Sequence, residues 1–138
     1  TSSDEVTRIE LVMVQNLINT TGKTIYVERE TAIDAATAIS GSGPAYVFYF
    51  MKALIEAAQE MGFSASESEL LVSQTFKGAV DLHNKSDFTC EEWIQKVASK
   101  GGTTEAALAS FLQNRVHVDI LEGANAALHR AVELGRKG

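Results

Sequence analysis

The stretch of sequence best suited to chemistry is the glycine-containing loop VASKGGTTEAAL, which covers residues 97–108. A helix is expected to end near Ala98 and the next one to begin at Thr103 or Thr104, with paired glycines between them. Backbone N–H groups at such a helix start are free to bind an anion, and Lys100 adds a positive charge beside them. The alternative is an ordinary capped helix junction, in which the threonines satisfy those donors themselves.

A second glycine-rich stretch, ISGSGPAYVF at residues 39–48, resembles a phosphate-binding loop but lacks its requirements. A dinucleotide fingerprint needs a preceding strand and a third glycine, whereas helical sequence precedes this stretch and Tyr46 stands where that glycine would be. No Gly-Lys-Ser/Thr ending is present either. The pattern instead predicts a helix start, with Ser42 or Gly43 as the cap and Pro44 as the first helical residue.

The remaining candidate side chains predict no metal site and no acyl-transfer site. The three histidines fall on different predicted helices without metal-ligand spacing, and the single cysteine has no evident histidine partner. Several glutamates stand where acids favour a helix start. The histidines are His83, His117 and His129, the cysteine is Cys90, and the glutamates at helix starts are Glu67, Glu69, Glu91 and Glu92.

Composition excludes several classes of protein. A chain of 138 residues with 45% hydrophobic and 22% charged residues is typical of one globular domain. A net charge of -6 without a basic stripe argues against nucleic acid as a partner. The apolar run of residues 44–51 is too short to cross a membrane. One cysteine fits a reducing compartment, so a cytoplasmic location is expected.

Helical periodicity dominates the elements that must position the two loops. A first helix is expected to open with Asp4 and Glu5 and to stop at Gly22, followed by a short strand at residues 24–27. A single strand cannot form a sheet by itself, so this segment is expected either to pair with something outside the chain or to pack as a lone extended segment. The pattern changes near residue 28. From residue 30 onward, helices are predicted at 30–39, 44–61, 66–84, 89–98, 103–112 and 114–135.

Two of these helices raise the question of a partner subunit. The helix from Pro44 is apolar almost all round in its first half, so it must be covered on every side. A helical domain of this size offers few neighbours, and a homodimer is therefore predicted. The last helix carries a face of small and apolar residues that fits either the core or a dimer seam.

The two glycine-containing stretches, about 60 residues apart, together resemble signature segments of the pyrroline-5-carboxylate reductases. The resemblance rests on DAATAISGSGPAYVF and VASKGGTTEAAL, and it extends over essentially the whole chain. Members of that family reduce a cyclic imine to proline with NAD(P)H. Position 100 is often proline in the family, whereas Lys100 stands here and makes the loop less stiff.

The resemblance implies an all-α fold of about six helices, preceded by one helix and one short strand left over from a Rossmann domain. Residues 1–28 would be that remnant of a dinucleotide-binding domain, and residues 29–138 the helical dimerisation and substrate-binding domain. Because no dinucleotide fingerprint occurs in the sequence, the chain is expected to be a fragment that is inactive alone. It would assemble as a homodimer or a higher oligomer.

The resemblance also implies the site residues. The loop of Ser99, Lys100, Gly101, Gly102, Thr103 and Thr104 would bind the carboxylate of 1-pyrroline-5-carboxylate. Thr104 would hydrogen-bond the imine nitrogen and orient it, while water or prior protonation supplies the proton. Ser42, Gly43 and Pro44 would face the nicotinamide of NAD(P)H.

Two other functions stay open on the sequence. The chain could be the helical domain of another Rossmann-type reductase that uses a lysine as acid/base, for which Lys52 is the candidate. It could also be a helical homodimer that serves only for assembly or binding. The second alternative predicts that Thr104→Ala leaves turnover unchanged.

Overall fold

The computed structural model describes residues 1–3 and 5–136, and its regular structure is helical throughout these ranges. The α-helices are α1 (Arg8–Ile18), α2 (Thr31–Ala36), α3 (Gly43–Glu60), α4 (Ala65–Asn84), α5 (Cys90–Val97), α6 (Thr103–Gln113) and α7 (Val116–Gly135). A π-helix, Thr37–Gly41, continues α2. The predicted all-α class is therefore confirmed, and α2 to α7 correspond to the six helices predicted after residue 29.

Several boundaries differ from the prediction by a few residues, the end of the first helix among them, at Ile18 and not at Gly22. Two of the differences have clear local reasons. The first helix begins at Arg8, because the Thr7 side chain accepts a hydrogen bond from the Glu10 N–H and the Glu10 carboxylate accepts one from the Thr7 N–H. Asp4, expected to open this helix, lies outside the described residues. The second helix changes pitch at Thr37, where the Ser42 N–H reaches back five residues to the Thr37 carbonyl at 2.9 Å.

The short strand predicted at residues 24–27 was wrong for the described part of the chain, where these residues form no β ladder. A strand needs a second strand to satisfy its backbone groups, and the described residues provide none. Side chains hold the segment instead. The Asn19 amide oxygen accepts hydrogen bonds from the Thr24 N–H at 3.0 Å and from the Thr24 hydroxyl at 2.7 Å.

The chain divides into two compact units. One unit contains Thr1–Ser42 together with the end of the chain from Ala124, and the other contains Gly43–Gly123. The first includes α1, α2 and the π-helix. The second includes α3 to α6 and carries the predicted substrate loop. The last helix, α7, contributes residues to both units.

In the second unit, α3 and α4 pack against each other as a helical hairpin. The turn between them is a glycine-terminated helix end: Gly62 has φ +104, and the Phe63 N–H donates to the Ala58 carbonyl at 3.2 Å. On α4, Ser68 and Val72 are buried, and the Ser68 hydroxyl donates to the Ser64 carbonyl at 2.9 Å. This hairpin is the principal packed element of the unit.

Much of the apolar surface of α3 stays exposed within the single chain. Phe48 is 66% exposed and Tyr49 is 74% exposed. Helices that are apolar on several faces need cover on each of them. The described residues of this chain do not supply that cover for the first half of α3.

The hydrogen bonds at the start of α4 are expected to contribute to the free energy of unfolding. Ser64 and Glu67 form a capping box: the Ser64 side chain accepts from the Glu67 N–H, and the Glu67 carboxylate accepts from the Ser64 N–H at 2.9 Å. We expect Ser64→Ala to lower the free energy of unfolding by about 1 kcal/mol, measured by urea denaturation. A Ser73→Ala variant is the control, since the Ser73 hydroxyl donates to the Leu70 carbonyl further along the same helix. Equal stability of the Ser64 variant and the wild type would contradict the assignment.

The same box predicts how stability depends on pH. Hydrogen bonds from the side chain and then the backbone of Ser64 hold the pKa of Glu67 below its ordinary value. A carboxyl whose pKa is depressed on folding contributes stability above its unfolded pKa, and that contribution is lost as the pH falls through the folded pKa. We therefore expect the Ser64→Ala protein to lose less stability on acidification than the wild type. The measurement is urea denaturation at a series of acidic pH values.

Candidate functional site

The predicted substrate loop lies between α5 and α6. Ala98 ends α5 in an extended conformation, and its N–H donates to the Ile94 carbonyl at 2.9 Å. The chain then turns through Gly101, and the Gly102 N–H donates to the Ser99 carbonyl at 2.9 Å. Helix α6 begins directly after this turn. All six predicted substrate-binding residues, Ser99 to Thr104, are thus brought together in one loop and helix start, called here the 99–104 loop.

Both glycines of this loop are required by its geometry. Gly101 has φ +74, in the left-handed region that side chains disfavour. A Cβ on Gly102 would lie 2.5 Å from the Ser99 hydroxyl oxygen and 3.0 Å from the Ser99 carbonyl oxygen. The paired glycines therefore allow the turn and the close approach of Ser99 to the start of α6.

The first backbone donors of α6 are left open. Gly102 is the N-cap residue and provides no side-chain acceptor. The helical bonding begins with the Ala106 N–H, which donates to the Gly102 carbonyl at 3.2 Å. Within residues 1–3 and 5–136, the N–H groups of Thr103, Thr104 and Glu105 have no acceptor. An uncapped helix start of this kind favours an anion, because its free N–H groups carry partial positive charge.

Sequence reasoning missed Glu105, whose side chain reaches back to the loop. Its carboxylate oxygen Oε2 accepts a hydrogen bond from the Gly101 N–H at 2.5 Å. The signal was available, because an acid at the third position of a helix commonly caps the preceding backbone. Glu105 is therefore part of the loop structure.

An apolar depression of about 240 Å³ lies beside the open helix start. Thr104 is one of its lining residues and is half-buried, whereas Lys100 and Thr103 are exposed. The indole of Trp93 forms part of the wall, and its N–H is already used in a hydrogen bond to the Ser86 hydroxyl at 3.1 Å. The other lining residues are Ile94, Val97 and Leu108. The arrangement suits a small, largely apolar molecule with one anionic group.

The predicted cofactor residues form a separate segment at the start of α3. Helix α3 begins at Gly43, so Pro44 is its second residue, not its first as predicted. Ser42 has φ -87 and ψ -20, a helical conformation, whereas an N-cap residue is normally extended. Ser42 is therefore not an N-cap, which corrects the predicted cap. A role for Ser42, Gly43 and Pro44 beside a cofactor stays a prediction.

The described residues do not favour a metal site, a membrane-spanning helix or a catalytic lysine. In these ranges, no group of three or more His, Cys, Asp or Glu side chains could hold a metal ion. Similarly, none of the described helices is long and apolar enough to cross a membrane. The Lys52 side chain is 73% exposed and lies 3.6 Å from the Glu56 carboxylate. This exposure does not resemble a lysine that acts as acid/base on an apolar helix.

Comparison with known proteins gives consistent matches. The family model described as pyrroline-5-carboxylate reductase dimerisation matches residues 30–134. The chain is 35% identical to a pyrroline-5-carboxylate reductase of Pseudomonas aeruginosa over 133 residues, which cover 96% of this chain and 49% of that protein. It is 34% identical to pyrroline-5-carboxylate reductase 2 of Bacillus subtilis, over 96% of this chain and 47% of that protein.

Solved structures that are similar to this chain belong to the same family of reductases. A pyrroline-5-carboxylate reductase of Coxiella burnetii is similar with a TM-score of 0.92 and 33% identity, over 96% of this chain and 49% of that one. The NADP-bound pyrroline carboxylate reductase of Plasmodium falciparum gives a TM-score of 0.87 and 33% identity, over 98% of this chain and 51% of that one. The chain spans about half the length of the curated relatives it matches. Because the matching family model covers most of the chain, the chain belongs to the pyrroline-5-carboxylate reductase dimerisation family.

Proposed function

We propose that this chain is the substrate-binding and dimerisation part of a pyrroline-5-carboxylate reductase, which reduces 1-pyrroline-5-carboxylate to L-proline with NAD(P)H. The open N–H groups at the start of α6, beside the depression lined by Thr104, carry this proposal. They suit a molecule with one carboxylate and a small ring. The names of the relatives, and the NADP bound to the Plasmodium falciparum protein, support the reaction and the cofactor.

In this proposal, the 99–104 loop binds and orients the imine. The substrate carboxylate accepts hydrogen bonds from the N–H groups of Thr103 and Thr104, and Lys100 adds a favourable charge. The Thr104 hydroxyl hydrogen-bonds the ring nitrogen. A threonine hydroxyl is too weak an acid to give up its proton, so the nitrogen is protonated by water or before binding. Thr104 therefore fixes which carbon of the ring is presented for reduction.

NAD(P)H supplies the hydride when it is bound. The start of α3 is compatible with a planar ring, because a Cβ placed on Gly43 would have no atom within 4 Å. Gly43 and Pro44 would offer a smooth surface there, and Ser42 a hydroxyl. A dinucleotide fingerprint does not occur in the 138 residues, so the pyrophosphate would be held by a dinucleotide-binding domain outside them.

The proposed organisation assigns residues 1–28 to the end of such a domain and residues 29–138 to the helical domain. The family model supports this division, since its match begins at residue 30. A cytoplasmic location fits the exposed free thiol of Cys90, because exposed thiols persist in reducing compartments.

The reaction is tested by the full-length protein that contains this chain. We expect it to oxidise NADPH or NADH only when 1-pyrroline-5-carboxylate is added, with proline as the product detected by chromatography. The 138-residue chain alone is expected to show no such oxidation, because it has no dinucleotide fingerprint. If the full-length protein shows no oxidation of NADPH or NADH that depends on the substrate, the proposed reaction is refuted. Robust oxidation by the chain alone would refute the need for another domain.

The exposed apolar face of α3 supports the proposed homodimer. Phe48 and Tyr49 are exposed in the single chain, and a second copy would cover them. We expect sedimentation velocity at micromolar concentration to show a dimer or a higher oligomer. A Phe48→Lys variant should shift the population toward monomer, whereas Lys85→Ala, a change at an exposed helix end, should not. A stable monomer of the unchanged chain would contradict the prediction.

A further inference from the structure

We propose that Glu105 is a positioning residue for the 99–104 loop: its carboxylate anchors the Gly101 N–H and keeps the loop in the conformation that leaves the start of α6 open to an anion. The inference rests on the proposed function, because that anion is the carboxylate of the imine substrate. Glu105 itself is not required to touch the substrate.

Two hydrogen bonds fix the turn that precedes α6. The Gly102 N–H donates to the Ser99 carbonyl at 2.9 Å, and the Gly101 N–H donates to the Glu105 carboxylate at 2.5 Å. The first bond closes the turn within the backbone. The second ties the turn to the helix that follows, and it is the stronger kind because its acceptor is charged.

The anchor is compatible with the open helix start. A glutamate at the third helical position usually accepts from the N-cap N–H. Here the N-cap is Gly102, and its N–H is already taken by the Ser99 carbonyl. The Glu105 carboxylate therefore reaches one residue further back, to Gly101. The N–H groups of Thr103 and Thr104 stay open because the Gly102 N-cap has no side-chain acceptor, and the Glu105 carboxylate holds the turn without occupying them.

The anchor also acts on the most flexible part of the loop. Adjacent glycines have the largest conformational freedom of any residue pair, and Gly101 must adopt φ +74. A loop that is ordered only when the substrate binds loses affinity, because the ordering opposes binding. A loop held in advance by Glu105 avoids that loss. Removal of the side chain should therefore weaken substrate binding more than the reduction step.

The charge of Glu105 has an opposing effect that a test must separate. A carboxylate near the helix start repels a second anion and weakens the field of the N–H groups. Glutamine keeps an oxygen that can accept the Gly101 hydrogen bond but carries no charge. Glu105→Gln therefore retains the anchor, and Glu105→Ala removes both the anchor and the charge.

The kinetic test uses the full-length protein at saturating NADPH. We expect Glu105→Ala to raise KM for 1-pyrroline-5-carboxylate about three- to tenfold with little change in kcat, and Glu105→Gln to stay close to the wild type. Glu67→Ala is the matched control, since it removes a glutamate from the same position of α4 and should leave KM unchanged. A KM for Glu105→Ala that equals or falls below that of the wild type would overturn the proposal.

A spectroscopic measurement tests the anchor without any turnover. In a 1H–15N NMR spectrum of the full-length protein, we expect the Gly101 amide proton to move upfield in Glu105→Ala but not in Glu67→Ala. A Gly101 signal unchanged by Glu105→Ala, in a protein with normal turnover, would overturn the role of Glu105 alone. The other outcome separates the two proposals. If the wild type does not reduce the imine but its Gly101 signal still moves in Glu105→Ala, the proposed function is refuted and the anchor is retained.

Discussion

Replacement of Thr104 by alanine is expected to lower kcat/KM for 1-pyrroline-5-carboxylate about 10- to 100-fold in the full-length protein. Thr104 lines the apolar depression at the start of α6, and in the proposed function its hydroxyl orients the ring nitrogen. Without that hydrogen bond the imine samples orientations in which the wrong atom faces the hydride. The backbone N–H of residue 104 remains, so the substrate still binds and the loss falls mainly on kcat.

Two variants make this result specific. Thr104→Ser keeps a hydroxyl and should retain most of the activity. Thr75→Ala is the matched control, because the Thr75 hydroxyl only donates to the Leu71 carbonyl at 2.8 Å on α4. A kcat/KM unchanged in Thr104→Ala would favour the alternative of a helical module that serves assembly and takes no part in the reaction.

Replacement of Gly102 by alanine is expected to cause the second large loss. The new Cβ would lie 2.5 Å from the Ser99 hydroxyl oxygen and 3.0 Å from the Ser99 carbonyl oxygen. The hydroxyl can rotate away, but the carbonyl belongs to the turn itself, so the 99–104 loop must shift. We expect KM to rise at least about tenfold, because displacement of the N–H groups removes their alignment with the carboxylate. The folded state should also lose roughly 1–3 kcal/mol.

Gly22→Ala is the matched control for the loop glycine. Gly22 lies in a turn after α1, and a Cβ placed there would have no atom within 4 Å. We expect this variant to show unchanged KM for the imine. Steady-state kinetics and urea denaturation of both variants provide the comparison. A Gly102→Ala protein with normal KM would mean that the close approach of Ser99 is not needed for binding.

The helices were predictable because their signals are local. The long helices α3 and α4 follow from apolar periodicity, and each of their predicted boundaries lies within one residue of the observed one. The prediction of a strand at residues 24–27 used local propensity alone and was wrong, because a strand exists only with a partner. The π-helix at Thr37–Gly41 was also missed, since one altered turn leaves the apolar periodicity almost unchanged.

By itself, the sequence determined the helical class, the position of the 99–104 loop and the likeness of its two glycine-containing segments to one family of reductases. These properties depend on residues that are neighbours along the chain. Only the tertiary structure decided which backbone donors of the loop are free, and that Glu105 reaches back to Gly101. It also showed that Trp93 and Thr104 line one depression. Hydrogen bonding and packing depend on the positions of atoms from different turns and helices, and periodicity and composition do not specify those positions.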